Sequence, residues 1–437
     1  MFSVSSTLRV PVWARQPTPS RKSLFSRTHL SLVVLLTTLV LLAHLYLSHH
    51  ARHIVLTPSP IPRRPAFEGC APTSIELAPR ANGAILLLVR EGDLPALLPT
   101  LRNFEHRFNA RFKYPYVFLS APDEPPFSPH FRASIADAVH PGALLEFGQV
   151  PEEHWRIPEW LDEDEIRAGF LRQAGEGVQY GGREGYHHMC RFYSGLFARH
   201  ELLQKYEWYW RLEPGVRFYC SVTYDPFRFL AQRNQTYGFV ITLIDDLNTI
   251  PSLYKTVKQY VQEAGLTPTD MWDFFTRDKN GASGYNRCHF WTNFEIGHLP
   301  FFRSQPYQQL FTALDRSGGF YTERWGDAPI RTIALGLLEG TDKVHYFEDF
   351  AYRHDWFMHC PERKEMGCDC DCPAFDTDHV DIDGQSWGSC VPEWKDISSV
   401  QWREKHPLPL PHTSPDSASF SFPSSRKGDW EETNVPV

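Results

Sequence analysis

The pattern of apolar and polar positions divides the chain into a membrane-length run, a proline-spaced connector and a long segment of alternating elements. Residues 30–47, "LSLVVLLTTLVLLAHLYL", are uncharged and apolar, near the lower length limit for a membrane-spanning helix. Prolines at 58, 60, 62, 65, 72 and 79 then exclude a helix and predict an extended stem. The folded part starts near Asn82. "AILLLV" (84–89) predicts a buried strand, Leu94, Leu97, Leu98, Leu101, Phe104 and Phe108 recur at helical spacing, and "YPYVFLS" (114–120) predicts a second strand. This βαβ unit opens a mostly parallel sheet of an α/β fold. Further along, the periodicity predicts a long helix over 187–205, strands over 207–212, 216–220, 237–243 and 288–294, and helices over 251–264, 304–316 and 327–338. Beyond about residue 400 a Pro/Ser-rich stretch predicts disorder. The expected organisation is a tail (1–29), a span (30–47), a stem (48–81), one folded domain (82–400) and a second tail (401–437).

Charge orients this arrangement. Arg9, Arg15, Arg21, Lys22 and Arg27 precede the apolar run, and no acid occurs before Glu68, so the N-terminus is expected in the cytosol and the remainder across the membrane. "SHHARH" after the run offers no convincing cleavage site, which favours a type II signal anchor over a cleaved signal peptide. The nine cysteines (70, 190, 220, 288, 360, 368, 370, 372 and 390) then lie in an oxidising compartment, where all but one are expected to pair. In "CPERKEMGCDCDC" the alternation of Cys368, Cys370 and Cys372 lacks zinc-knot spacing and reads as a disulfide-stapled loop. Asn234-Gln235-Thr236 is an N-glycosylation acceptor sequence. A net charge of −8 supplies no basic excess for nucleic acid. Aromatic residues make up 14% of the chain, enough for a heavy core or for stacking on flat ligands.

Two chemistries are weighed on residues alone. The first turn lacks GxGxxG, which disfavours a dinucleotide-binding Rossmann domain and leaves other nucleotide-binding sheets open. Transfer from a nucleotide diphosphate needs a divalent ion to neutralise the leaving group, and Asp-x-Asp at a strand end is a common ligand set. The matches at 162–164, 369–371, 376–378 and 381–383 all fall in loops without a preceding strand. Glu213 in "YWRLEPGVRFYC" instead follows a strand, where a sheet delivers its ligands, and Arg211 two residues earlier points to the same side and could meet a phosphate. A plain surface Arg–Glu pair is the bland alternative. Glu213 and Glu295 as the paired carboxylates of a glycoside hydrolase form the other chemistry.

"YHHMCRFYSGLFARHELLQKYEWYWRLEPGVRFYCSVTYDPFRFL", "YGFVITL", "CHFWTNFEI", "FFRSQPY" and "GGFYTERWGDAPIRTIALGLL" resemble the fungal Golgi α-1,2-mannosyltransferases of glycosyltransferase family 15, over roughly residues 82–360. The resemblance implies a GT-A-type fold, GDP-mannose as donor, Mn²⁺ as cofactor, and retaining transfer to a mannose of O- or N-linked protein glycans. It carries metal binding to Glu213 and to His354 in "AYRHDWF", with His345 and His359 as rivals, a set that suits Mn²⁺. It implies that Glu295 is nucleophile, ion-pair stabiliser or sugar-hydroxyl ligand, that Tyr186 lies near the reacting carbon, and that Asp327 lies near the acceptor or caps its helix. His187 stands where relatives carry arginine, and Gly215 where they carry Asp or Asn. Arg90, after the first strand, is expected at the nucleotide, and Trp325 is expected to offer a plane to a sugar face. A mannan-binding protein that kept the fold without turnover is the alternative.

Overall fold

The computed structural model describes residues 35–42, 69–71, 79–277, 284–373 and 388–398. It divides at Pro62 into two units. In the first, residues 35–42 are helical with exposed Leu and Val side chains; the rest of the predicted span lies outside the described residues, as do residues 401–437. Among the described residues no helix is long and apolar enough to cross a membrane.

The second unit carries twelve strands among its described residues: β1 (Gly83–Leu88), β2 (Tyr116–Ser120), β3 (Leu145–Gln149), β4 (Trp208–Arg211), β5 (Arg217–Phe218), β6 (Tyr237–Phe239), β7 (Thr242–Ile244), β8 (Cys288–Phe290), β9 (Glu295–His298), β10 (Val344–Tyr346), β11 (Tyr352–His354) and β12 (Phe357–His359). Seven form one sheet in the order β10-β6-β9-β4-β1-β2-β3. All but β9 run in one direction; β9 is antiparallel to both β4 and β6. The chain leaves β1 toward β2 and β3 and returns as β4 on its other side, so the carboxyl edge of β1 and β4 is a topological switch point, where open α/β sheets bind ligands.

Side-chain parity explains the layers. On β1, β2 and β4, Ile85, Leu87, Tyr116, Phe118, Trp208 and Trp210 enter one apolar cluster, while Ala84, Leu86, Val117, Leu119 and Tyr209 enter another. Both faces are buried, as a mostly parallel sheet requires. Arg211 and Glu295 have the parity of Tyr209 and Gly297, so both project toward the face that the helix Asp327–Leu338 covers.

Several expected elements are divided. The predicted helix 187–205 is an α-helix over Glu184–Arg191, a π-turn over Phe192–Leu196 and two short 3₁₀ turns. In the π-turn the carbonyls of Tyr193, Ser194 and Gly195 accept bonds from Arg331 Nη2 (2.9 Å), Tyr307 Oη (2.7 Å) and Gln308 Nε2 (3.0 Å), so side chains from other helices compensate for the α-ladder given up. The predicted strands 237–243 and 288–294 each split: β6 stays in the main sheet while β7 and β8 pair with each other, and β9 starts afresh at Glu295.

Gly195 sits so close to Phe311 that a Cβ would stand 2.3 Å from the ring. Gly195→Ala is expected to lower stability by about 1–3 kcal/mol. Urea unfolding checks this, and an unchanged midpoint would mean that the ring moves aside at no cost.

Candidate functional site

Glu213 leaves the end of β4 in a turn built by Pro214 and Gly215. Gly215 has φ +84° and open space where a Cβ would be, the αL position of a type II turn that Gly, Asn or Asp can fill. Thr100 fastens the turn, accepting from Gly215 N (3.0 Å) and donating to Val216 O (3.1 Å).

Arg211 does not lie open to a phosphate. Its side chain is 4% exposed, Nη1 donates to Asp327 Oδ2 at 2.7 Å, Nη2 pairs with Glu213 Oε1, and the guanidinium lies 3.7 Å from the Tyr193 ring centroid. Burial opposes its charge, but Glu213 and Asp327 outweigh that and hold it protonated. Thr292 adds a bond to Asp327 Oδ2 at 2.8 Å.

Glu295, directly across the ladder from Arg211, is fully buried. Arg331 donates to both its oxygens (2.9 and 3.2 Å), and Tyr237 Oη donates at 3.1 Å. It therefore cannot flank a substrate bond with Glu213, as a hydrolase pair would. Asp327 and Arg331 stand four residues apart on one helical face, so the helix presents an acid to the Arg of β4 and a base to the Glu of β9.

The other oxygen of Glu213 faces β11: His354 Nε2 is 3.7 Å from Oε2, with both side chains partly buried. This is too long for a hydrogen bond and close enough for both atoms to reach one cation. His354 Nδ1 is buried without a hydrogen-bond partner, and Trp291, half-buried, lies 5.3 Å from the imidazole. The rivals lie elsewhere. His345 is sealed between Phe229 and Phe347, where burial pushes its pKa down to about 3, and both nitrogens of His359 meet partners, Tyr346 Oη and Glu348 O.

His354 reaches Glu213 because β11 pairs with β5, which directly follows the Glu213 turn, and with β12. Cys220, just past β5, is bonded to Cys370, and Cys360, just past β12, to Cys372, so the short stretch 370–372 staples both outer strands. Cys70–Cys368 and Cys288–Cys390 are the other disulfides, and Cys190 is free and buried.

The remaining expected residues scatter. Tyr186 is half-buried, its ring tilted against Tyr180 with centroids 4.5 Å apart. Arg90 follows β1 at the same sheet edge, with its guanidinium 3.6 Å from Asp93. His187 is a packing residue against Phe170, its nitrogens at the Phe320 and Gly181 carbonyls, which leaves it no phosphate role. Trp325 is 1% exposed and packs on Phe320, so it offers no plane to a sugar. Of the Asp-x-Asp matches, Asp162 caps a helix, Asp371 pairs with Arg107, and those at 376–383 lie outside the described residues. An open cavity of about 650 Å³ lies on the far side of the helix Glu184–Arg191, lined by Trp155, Arg156, Glu184 and His188 among others.

The family described as glycolipid 2-alpha-mannosyltransferase matches residues 60–399. The chain belongs to this family. The O-glycoside alpha-1,2-mannosyltransferase homolog 5 of Schizosaccharomyces pombe is 39% identical, with 75% of this chain and 82% of that protein aligned. Among solved structures, core-mannan synthase A of Aspergillus fumigatus in its Mn/GDP form is similar at 36% identity and a TM-score of 0.67, covering 77% of this chain and 90% of its own. The mannosyltransferase Ktr4p of Saccharomyces cerevisiae in complex with GDP is similar at 33% identity and a TM-score of 0.69, covering 77% and 87%. The GT-A-type α/β expectation for this family agrees with the sheet observed.

Sequence reading missed Arg331, Thr292, Tyr193 and Trp291. Only Arg331, an isolated charge in the apolar "APIRTIALGLL", left a visible signal. Arg331→Met is expected to cost about 3–5 kcal/mol by stranding the Glu295 charge, and adding Glu295→Gln should recover part of it. Urea unfolding of the cycle decides; strictly additive losses would show the two groups to be uncoupled.

Proposed function

We propose that the folded unit is a retaining, metal-dependent α-1,2-mannosyltransferase that moves mannose from GDP-mannose to a mannose of protein-linked glycans. The observation that carries this is the approach of Glu213 and His354 at the switch-point edge of the sheet, in a chain of the glycolipid 2-alpha-mannosyltransferase family. Glu213 Oε2 and His354 Nε2 would hold the cation, and Mn²⁺ accepts this carboxylate–imidazole set. Two protein ligands suffice when a diphosphate completes the shell. A cation held there would supply positive charge against the diphosphate of the departing GDP.

The protein's own groups do the rest. Arg211 holds the second oxygen of Glu213 and, with Thr292, fixes Asp327, which is assigned to the acceptor side. Tyr186 is assigned to the neighbourhood of the reacting carbon, and Arg90 to the nucleotide. Glu295, buried and triply bonded, is read as a positioning carboxylate. Its seclusion favours a same-face route, in which a leaving-phosphate oxygen takes the acceptor proton, over a covalent glycosyl-enzyme. The arginines ahead of the apolar run and the paired cysteines support a type II Golgi membrane protein whose catalytic domain, residues 82–400, is lumenal.

Two measurements on Mn²⁺ test the site. Glu213→Gln should lose Mn²⁺ binding, followed by electron paramagnetic resonance, together with most GDP release from GDP-mannose and an α-mannoside. His354→Ala should raise the Mn²⁺ concentration required about tenfold or more. Normal titrations in both would move the cation elsewhere, and absence of GDP release from the wild type would leave a mannan-binding protein. Replacing Cys360 and Cys372 by alanine should likewise raise the Mn²⁺ requirement while the main domain keeps its unfolding midpoint, because the hairpin carrying His354 loses its staple. An unaltered titration would show that the strands hold His354 unaided.

A further inference from the structure

The chain carries one Asn-x-Ser/Thr sequence, Asn234-Gln235-Thr236, which the transfer chemistry above does not use. It falls where the helix Pro226–Gln232 ends and the chain turns into β6. Asn234 N donates to Ala231 O (3.1 Å) and Gln235 N to Leu230 O (2.9 Å), the two bonds of a Schellman closure, with Asn234 as its left-handed residue at φ +52°. Lys343 Nζ donates to Asn234 O at 3.0 Å and Thr236 N to Lys343 O at 2.7 Å, so the backbone of the turn is pinned from a second segment. The Asn234 side chain stands exposed on this fixed turn, while Thr236 is buried.

The turn lies away from the candidate site. β6 runs parallel to β4, with β9 between them. Thr236 O accepts from His298 N at 2.9 Å, and His298 pairs with Trp208 at the start of β4, whereas Glu213 follows the end of β4. Asn234 therefore marks the amino edge of the sheet, and the Glu213–His354 pair the carboxyl edge. Closing the helix explains an asparagine at 234, because it tolerates the left-handed region. It does not require a hydroxyl residue two positions on. An exposed amide followed by that hydroxyl is what attachment of an N-linked glycan needs. Four disulfides fit the oxidising compartment in which such attachment is made.

We propose that Asn234 carries an N-linked glycan, held at the sheet edge opposite the Glu213–His354 site. This rests on the lumenal reading above. The bond formed joins Asn234 Nδ2 to the anomeric carbon of an oligosaccharide. The bond broken is that carbon's link to the diphosphate of a lipid carrier, which leaves with the electron pair, and one amide proton passes to a base of the transferring enzyme. Placed there, the glycan leaves the carboxyl edge clear for donor and acceptor.

The test expresses the full chain in a fungal host, with a second acceptor sequence appended after Val437 as an orientation reporter, and reads peptide masses before and after peptide N-glycosidase treatment. Residue 234 should be released from a glycan and recovered as aspartate. Asn234→Gly should lose that glycan, fold normally because glycine takes the left-handed turn freely, and release GDP within twofold of wild type. Thr236→Ser should keep the glycan. An unmodified Asn234 beside a glycosylated reporter would overturn the proposal and mark the asparagine as a helix-closing residue only. GDP release outside twofold in Asn234→Gly would overturn the placement of the glycan clear of the site. If reporter and Asn234 both stay bare, the lumenal reading itself falls, and the proposal with it.

Discussion

Buried charges that must find partners set the architecture of this site. Arg211 and Glu295 face each other across adjacent strands, and Asp327 and Arg331 reach them from one helix with the signs reversed. Ions taken out of water cost several kcal/mol each unless paired with good geometry. A one-residue slip of β4 would turn Arg211 into the opposite apolar layer, and a rotated helix would strand two acids. The register of β4 against β9 and the axial position of the helix are therefore one constraint. The Glu213 turn, held by Arg211, inherits its precision.

What surrounds this interlock is held by weaker means. The sheet of β5, β11 and β12 has a core of its own made of little more than Tyr219, Ala351, Met358 and the cysteines beside them. Its other face joins the main core through Phe218 and Tyr352, and the disulfides add covalent links to what that burial provides. Because β5 continues directly from the Glu213 turn and β11 ends in His354, the same links set the gap between a carboxylate and an imidazole. Through this local arrangement the disulfides bear on the Glu213–His354 spacing, while the main sheet rests on its two apolar layers.

Much was legible where local chemistry is decisive. Continuous apolar runs marked β1, β2 and β4 because both sheet faces are buried, and Pro214-Gly215 marked the turn that sets Glu213 at a strand end. The odd cysteine count left one thiol over. Elements were misread where partners distant in sequence decide. The helix after Tyr186 stops at Arg191 because Arg331, Tyr307 and Gln308 satisfy the next carbonyls. Trp325, read as an open plane, is packed against Phe320, while the half-buried indole beside the site is Trp291.

By itself the sequence determined the parity of the strands, the turn that ends β4 and the family to which the chain belongs, because alternation, turn residues and motif order are local properties. Tertiary structure alone decided which charges are spent on one another and which remain open. Arg211 and Arg324 are alike in sequence, each within three residues of an acid, yet among the described residues one is ion-paired with two carboxylates and the other with none. Charge pairing depends on distances between segments far apart in the chain, 116 residues for Arg211 and Asp327 and 36 for Glu295 and Arg331, and no local pattern encodes them.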